Sequence, residues 1–281
     1  MARLFGFISN RHELGPRVLL AQAEHLRVKR TAASGGVDSP LGWGVGFHQF
    51  GEVLLRRRPL DERPEIDLSQ VIEGLKTDVL IGHVRQPTVG ALRTENTHPF
   101  RYRQWLFAQT GTIEGFEQLR ERLLDAQPAF LRPNLRGDTD SELFFYLFLS
   151  TLHDEGHLNG HQVPLPVIYE ALRATFRLVD GLCDEANLPR HKGDALLTNG
   201  EHLIAIHRSG KLASLVLEDA GEIDALLNPD SSRNTRVSNV DQLRCTVFAS
   251  ELDPLPSSWQ RAPMGSFIAA TRTAGPVSEA I

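Results

Sequence analysis

Short apolar runs ending in turn residues mark both ends of this chain, while helical spacing of apolar residues marks its middle. Leu4 to Ile8 is apolar throughout and stops at Ser9-Asn10, the pattern of a short strand. Gly15-Pro16 opens a stretch in which Val18, Leu19, Ala23 and Leu26 recur at helical spacing. Thr31 to Pro40, rich in Ala, Ser and Gly, is expected to be a surface loop. Trp43 to Phe50 and Val53 to Arg57 flank Gly51-Glu52 and predict a β-hairpin. Asp78 to Val84 reads as a buried strand that runs into a polar, turn-rich stretch from Arg85 to Phe100.

Trp105 to Gln109 is a further strand, ending at Thr110-Gly111. Phe116 to Leu124 has helical periodicity, and Pro166 to Leu178 predicts an amphipathic helix. Thr139-Asp140-Ser141-Glu142 is a capping-box pattern just ahead of the apolar run Leu143 to Leu149. Strands are expected over Ala195 to Asn199, Leu203 to His207, Leu212 to Leu217, Leu243 to Ser250 and Ser266 to Thr271. No repeat or long linker interrupts the 281 residues, so one domain over residues 1–281 is expected. From periodicity alone, the order of strands, helices and strands suggests two sheets enclosing helices.

Composition narrows the function classes. Hydrophobic residues make up 41% and charged residues 23%, as in ordinary globular proteins. Thirty basic residues against 35 acidic ones give a net charge of −5, which offers nothing to nucleic acid or an anionic membrane. The two cysteines, Cys183 and Cys245, form neither a disulfide framework nor a metal motif, and read as packed thiols. No metal or cofactor is expected. The N-terminus lacks the apolar core of a signal peptide, so a cytoplasmic location is expected. Trp43 reads as core, and Arg56-Arg57-Arg58 as a solvated strand end or a face for an acidic partner.

Four segments are more specific: ARLFGF at the N-terminus, GHVRQPTVG over residues 82–90, NTHPF over 96–100, and GDTDSE over 137–142, with WLFAQTGTIEGF between the last two. In this order they resemble the glutaminase domain of class II glutamine amidotransferases. The short stand-alone branch that includes the amidohydrolase of ergothioneine biosynthesis is the more specific likeness. ALLTNGEHLIAIHR and VFASELDPLPSSWQRAPMGSF extend the resemblance to nearly the whole chain. It implies an α+β fold, the four-layer αββα sandwich of the N-terminal-nucleophile hydrolases.

In an active member of that family, an N-terminal cysteine thiolate attacks the side-chain amide of glutamine, with its own α-amine as base. By motif, Arg85 takes the place of the arginine that pairs with the substrate α-carboxylate, a group its planar fork fits. Thr88 supports that carboxylate, Asp140 receives the α-ammonium, and His98 belongs to the pocket floor. Gly111 is the glycine of the oxyanion Asn-Gly pair, where a side chain is expected to crowd the ligand.

The departures fall on the chemistry. Ala2 stands at the nucleophile position, Thr110 at that of the oxyanion asparagine and Gln109 at that of the histidine before it. Pro87 and Leu41 also depart from the family pattern. Because both Ala2 and Thr110 differ, the resemblance points to a pseudoenzyme that keeps a pocket for glutamine or a γ-glutamyl amide. An active amidohydrolase with its cysteine replaced, and a ligand-free scaffold or partner subunit, are the rival readings. The glutaminase-like region uses the whole chain, so any ammonia acceptor is expected to be a separate protein, and a protein partner or homo-oligomer is compatible with the resemblance.

Overall fold

The computed structural model describes residues 2–30, 41–86, 89–160, 162–227 and 243–281. The expected loop Thr31 to Pro40, together with Pro87 and Thr88, lies outside them. In chain order the first elements are β1 (Arg3–Ser9), α1 (Leu14–Ala21), α2 (Ala23–Leu26), β2 (Val28–Lys29), β3 (Leu41–Gln49), β4 (Glu52–Asp61), β5 (Glu65–Ile66) and α3 (Ser69–Ile72). The middle contains β6 (Val79–Arg85), β7 (Phe100–Tyr102), β8 (Trp105–Gln109), α4 (Phe116–Asp125), α5 (Asp140–Asp154) and α6 (Leu165–Glu185). The last third holds β9 (Ala195–Thr198), β10 (His202–His207), β11 (Ala213–Leu217), α7 (Ala220–Leu227), β12 (Cys245–Ala249), β13 (Gln260–Arg261), β14 (Ser266–Thr271) and β15 (Val277–Ala280).

These strands form two large antiparallel sheets. One runs β13-β11-β12-β1-β6-β3-β4 and the other β15-β14-β10-β9-β8-β7. Alternation along each strand sorts the apolar side chains into separate layers. Leu4 and Ile8 of β1 join Val79 and Ile81 of β6, Leu106 and Ala108 of β8 and Leu203 and Ala205 of β10 in a core between the sheets. The intervening Phe5 and Phe7 face the other way and pack with Val18 and Leu19 of α1. On the second sheet Trp105, Phe107, Ile204 and Ile206 face α4, α5 and α6.

The helices therefore lie outside and the sheets inside, giving the αββα sandwich of the N-terminal-nucleophile type. The periodicity reading had this inverted. Strands β1, β6, β8, β10 and β12 are buried on both faces, which needs a second layer on either side and leaves the interior to the sheets.

Element ends also differ from expectation. β6 reaches Arg85, which is therefore a strand residue and not the first residue of the turn-rich stretch. β4 runs to Asp61, past Arg56 to Arg58. Arg56 and Arg58 are exposed as expected, within the strand and not at its end, while Arg56 lies over the Phe47 ring at 5.7 Å and Arg57 Nη1 donates to the Thr97 carbonyl at 3.2 Å. α6 extends beyond Leu178 because Val179, Leu182 and Cys183 continue its buried stripe. Trp43 packs against the outer core and donates from Nε1 to Asp61 Oδ2 at 2.9 Å. Cys183 and Cys245 are both free and buried.

Candidate functional site

At one end of the inter-sheet layer, where β1 begins and β6 and β8 end, the two sheets part over a cleft of about 100 Å³. Ala2, His83, Arg85, His98, Thr110, Gly111 and Asp140 line it, with Gln86, Val89, Gln109, Thr112, Thr139 and Ser141 completing the wall. Strand register accounts for the first of these. Leu4 pairs with His83 across β1 and β6, and Leu4 belongs to the inter-sheet core. Residues two apart share a face, so Ala2 continues the face of Leu4, and Arg85 that of His83.

Arg85 is buried at the end of β6, and its guanidinium is already engaged. Nη2 donates to the Val89 and Gly90 carbonyls at 2.7 and 3.2 Å, and Nη1 to the Ala91 carbonyl at 3.2 Å. Burial lowers its pKa, while Asp138 and Asp140 act to raise it. The same loop is fastened by Asn96, whose side chain donates to the Ala91 carbonyl at 3.0 Å and to Asp138, and accepts from Asp138 N at 3.0 Å.

Asp140 opens α5. Its Oδ2 accepts from Ile113 N at 2.7 Å, and its Oδ1 from Ser141 N at 2.9 Å. These donors are neutral, and burial pushes the carboxyl pKa up despite them. The helix start follows half of the capping-box expectation. Thr139 Oγ1 accepts from Glu142 N at 3.2 Å, but the Glu142 carboxylate takes the N–H groups of Arg136 and Gly137, at 3.2 and 2.7 Å. Glu142 thus holds the incoming GDT turn and not the cap residue.

Thr110 and Gly111 follow β8. Thr110 N donates to the Asp194 carbonyl at 2.8 Å, and its hydroxyl leans on the same oxygen at 3.5 Å. Gly111 has φ 92°, and a Cβ there would meet the Lys192 carbonyl oxygen at 2.5 Å. A side chain at this position therefore meets the Lys192 backbone. Gln109, also on the cleft wall, has its Nε2 3.0 Å from His191 Nε2.

His98, whose peptide to Pro99 is cis, stacks edge-on with His83 at 4.5 Å between ring centroids. Both rings are buried, and desolvation, with the nearby arginines, lowers their pKa values, that of His83 to about 3. His83 sits in the GHVRQPTVG segment yet was not singled out by sequence. Only its register beside Leu4 connects it to the cleft. The cleft thus brings together every expected site residue except Thr88, which lies outside the described residues. Among the described residues, no group of three or more His, Cys, Asp or Glu side chains could hold a metal ion.

A family model described as glutamine amidotransferases class-II matches residues 19–279, a span that begins after Ala2. A probable glutamine amidotransferase of Saccharomyces cerevisiae is 37% identical over 91 residues, which is 32% of this chain but only 26% of the yeast protein. A putative glutamine amidotransferase of Escherichia coli K12 is 28% identical over 236 residues, covering 80% of this chain and 83% of that protein. Among solved structures, a glutamine aminotransferase class-II domain protein from Silicibacter pomeroyi superposes with a TM-score of 0.59 at 20% identity, covering 99% and 98% of the two chains. The glutamine phosphoribosylpyrophosphate amidotransferase of B. subtilis shares the fold at a TM-score of 0.55 and 14% identity, with this chain spanning 49% of that one. Matched along nearly its whole length by the family model and sharing its fold with solved class-II domains, the chain belongs to the class-II glutamine amidotransferases.

Proposed function

We propose that this chain is a pseudoenzyme of its family, which binds L-glutamine or a related γ-glutamyl amide and does not hydrolyse it. One observation carries the reading: Arg85 and Asp140 line a single small cleft whose wall at Ala2 is a methyl group. An α-amino acid bears a carboxylate and an ammonium on one carbon. Arg85 takes the first through the donors that remain on its fork. Asp140, a buried carboxylate held by neutral hydrogen-bond donors, takes the second.

The chemistry stops there. A methyl group has no lone pair with which to attack the amide carbon, so no thioester forms. The Thr110 hydroxyl, shorter than a carboxamide and 3.5 Å from the Asp194 carbonyl, is a poorer oxyanion donor than the asparagine of the family. A pocket that holds an amide without cleaving it fits glutamine sensing, alone or docked to an active enzyme in the cytoplasm.

Isothermal titration with L-glutamine, using D-glutamine as the control, tests the pocket. Stereoselective heat supports it, and Arg85→Ala is expected to abolish that heat. Unchanged affinity in Arg85→Ala would sink the assignment. The catalytic half is tested by Ala2→Cys. That variant is expected to stay inert, because losing an oxyanion donor alone costs about 10²–10³ in rate. Ammonia release from a processed, folded Ala2→Cys protein would instead identify an amidohydrolase whose nucleophile had been replaced.

A further inference from the structure

We infer that the free edge of β4 is a self-complementary surface, through which two copies of this chain pair antiparallel about a two-fold axis at Leu55. The inference is independent of the glutamine reading. Among the described residues β4 ends its sheet and pairs with β3 alone. At ten residues it is a long edge strand, and such edges are normally blunted or covered because their unpaired backbone groups invite another strand.

The side chains on this edge are unusual for free surface. Glu52, Leu54, Arg56, Arg58 and Leu60 alternate along one face of β4, and all five are exposed. Phe50, at the tip of the β3–β4 hairpin, is 93% exposed. Phe50 and Gly51 have φ 52° and 80°, the two-residue turn whose preferred sequence is Asn-Gly. A phenylalanine gains nothing for that turn and buries nothing within the chain, so its use lies outside the hairpin.

Register fixes which backbone groups are free. Gln49 and Glu52 close the hairpin, so Glu52, Leu54, Arg56 and Arg58 turn their backbone groups to β3. Val53, Leu55 and Arg57 turn theirs outward, and Pro59, next in that series, has no N–H to leave unpaired. A second β4 must meet outward groups with outward groups, so a two-fold axis passes through a residue and not between two.

With the axis at Leu55, Glu52 faces Arg58 of the second copy, Leu54 faces its Arg56, and Phe50 reaches its Leu60, each twice. Leu55 meets itself, and Pro59 falls opposite Gly51, past the ladder. Moving the axis to Arg56 or Arg57 sets arginine against arginine, and moving it to Leu54 leaves Leu60 beyond the second hairpin. Opposite charges directly across a sheet attract and like charges repel, so the Leu55 axis alone satisfies the whole strand. Arg58 is free to serve, because Asp61, its contact at 3.4 Å, is also held by Arg63 and Trp43.

The test is the solution mass of the full chain, by sedimentation velocity over a concentration series. A dimer is expected. Glu52→Arg places arginine across from Arg58 at both ends of the pairing and is expected to raise the dimer Kd at least about tenfold. Arg58→Glu is expected to do the same, and combining Glu52→Arg with Arg58→Glu to restore the dimer. Phe50→Asn supplies the residue the turn prefers, so that variant is expected to fold at least as well while its dimer weakens. A wild-type chain that stays monomeric up to about 100 μM would overturn the proposal. So would a dimer indifferent to Glu52→Arg and Phe50→Asn, or a correctly folded double variant that stays monomeric.

Discussion

At Gly111 the backbone adopts φ 92°, and the Lys192 carbonyl occupies the place of any Cβ. The residue is fixed by two independent constraints, handedness and space. Gly111→Ala is therefore expected to cost about 2–4 kcal/mol, from backbone strain plus overpacking, and urea denaturation would read it as a lower midpoint at unchanged m. Gly44 meets a similar limit, since its Cβ would lie 2.1 Å from the His98 carbonyl. That close approach is what seats β3 against the cis His98-Pro99 peptide and, through it, the histidine pair. Sequence marked Gly111 by motif, but the group it avoids belongs to Lys192, far later in the chain, and becomes visible only when that segment folds back beside β8.

Helix α5 shows how an element carries the site. Nearly every residue from Asp140 to Ser150 is buried, so the helix is anchored all round and presents Asp140 at a fixed first turn. Thr139 caps it with a single hydrogen bond, and the α5 entry is otherwise tied down through Glu142 to Arg136 and Gly137. Thr139→Ala is expected to destabilise the protein by about 1 kcal/mol, a shift checked by thermal or urea unfolding. If α5 also positions Asp140, the same variant weakens L-glutamine binding more than it weakens the fold. Binding unchanged at equal destabilisation would show that Asp140 is set by its bonds to Ile113 and Ser141 and not by the cap. Strand β1 is the counterpart on the first sheet. Its central place between β12 and β6 fixes Ala2 at the cleft by register alone.

For the molecule as a whole, buried histidines govern the response to acid. His83 titrates at about 3, His48 and His191 at about 4, and His98 well below its ordinary 6.5, each chiefly because burial disfavours the charged ring. As pH falls below 6.5 the unfolded chain takes up protons that the folded chain refuses. Stability is thus full above pH 6.5 and is lost toward pH 3–4, by up to about 1.4 kcal/mol per pH unit for each such ring. Asp140 and Glu142 run the other way. Their folded pKa values are raised, so they protonate first in the folded state and offset part of the loss as pH drops through those values toward the ordinary carboxylate range. Urea midpoints measured from pH 7.5 to pH 4 are expected to fall with a slope reduced at the acid end. A flat profile would mean that the histidines are solvated.

Period and punctuation along the chain determined most of the elements: β1, β6, β8, α4, α5 and the C-terminal strands lie within a few residues of where apolar spacing and turn residues put them. Motif order likewise determined the family and most of the residues that meet in the cleft. These are local properties, since side-chain spacing and capping chemistry act over a turn or a strand. What the tertiary structure decided is everything that depends on two distant segments sharing space. The layer order was inverted in the periodic reading because an apolar run does not say which of its faces meets a sheet and which a helix. His83 joined the site through pairing with Leu4, Gln109 on the cleft wall met His191, and Arg85 gave three of its donors to the Val89–Ala91 carbonyls. Register and burial are properties of partners, and a partner's position is not encoded at the residue that needs it.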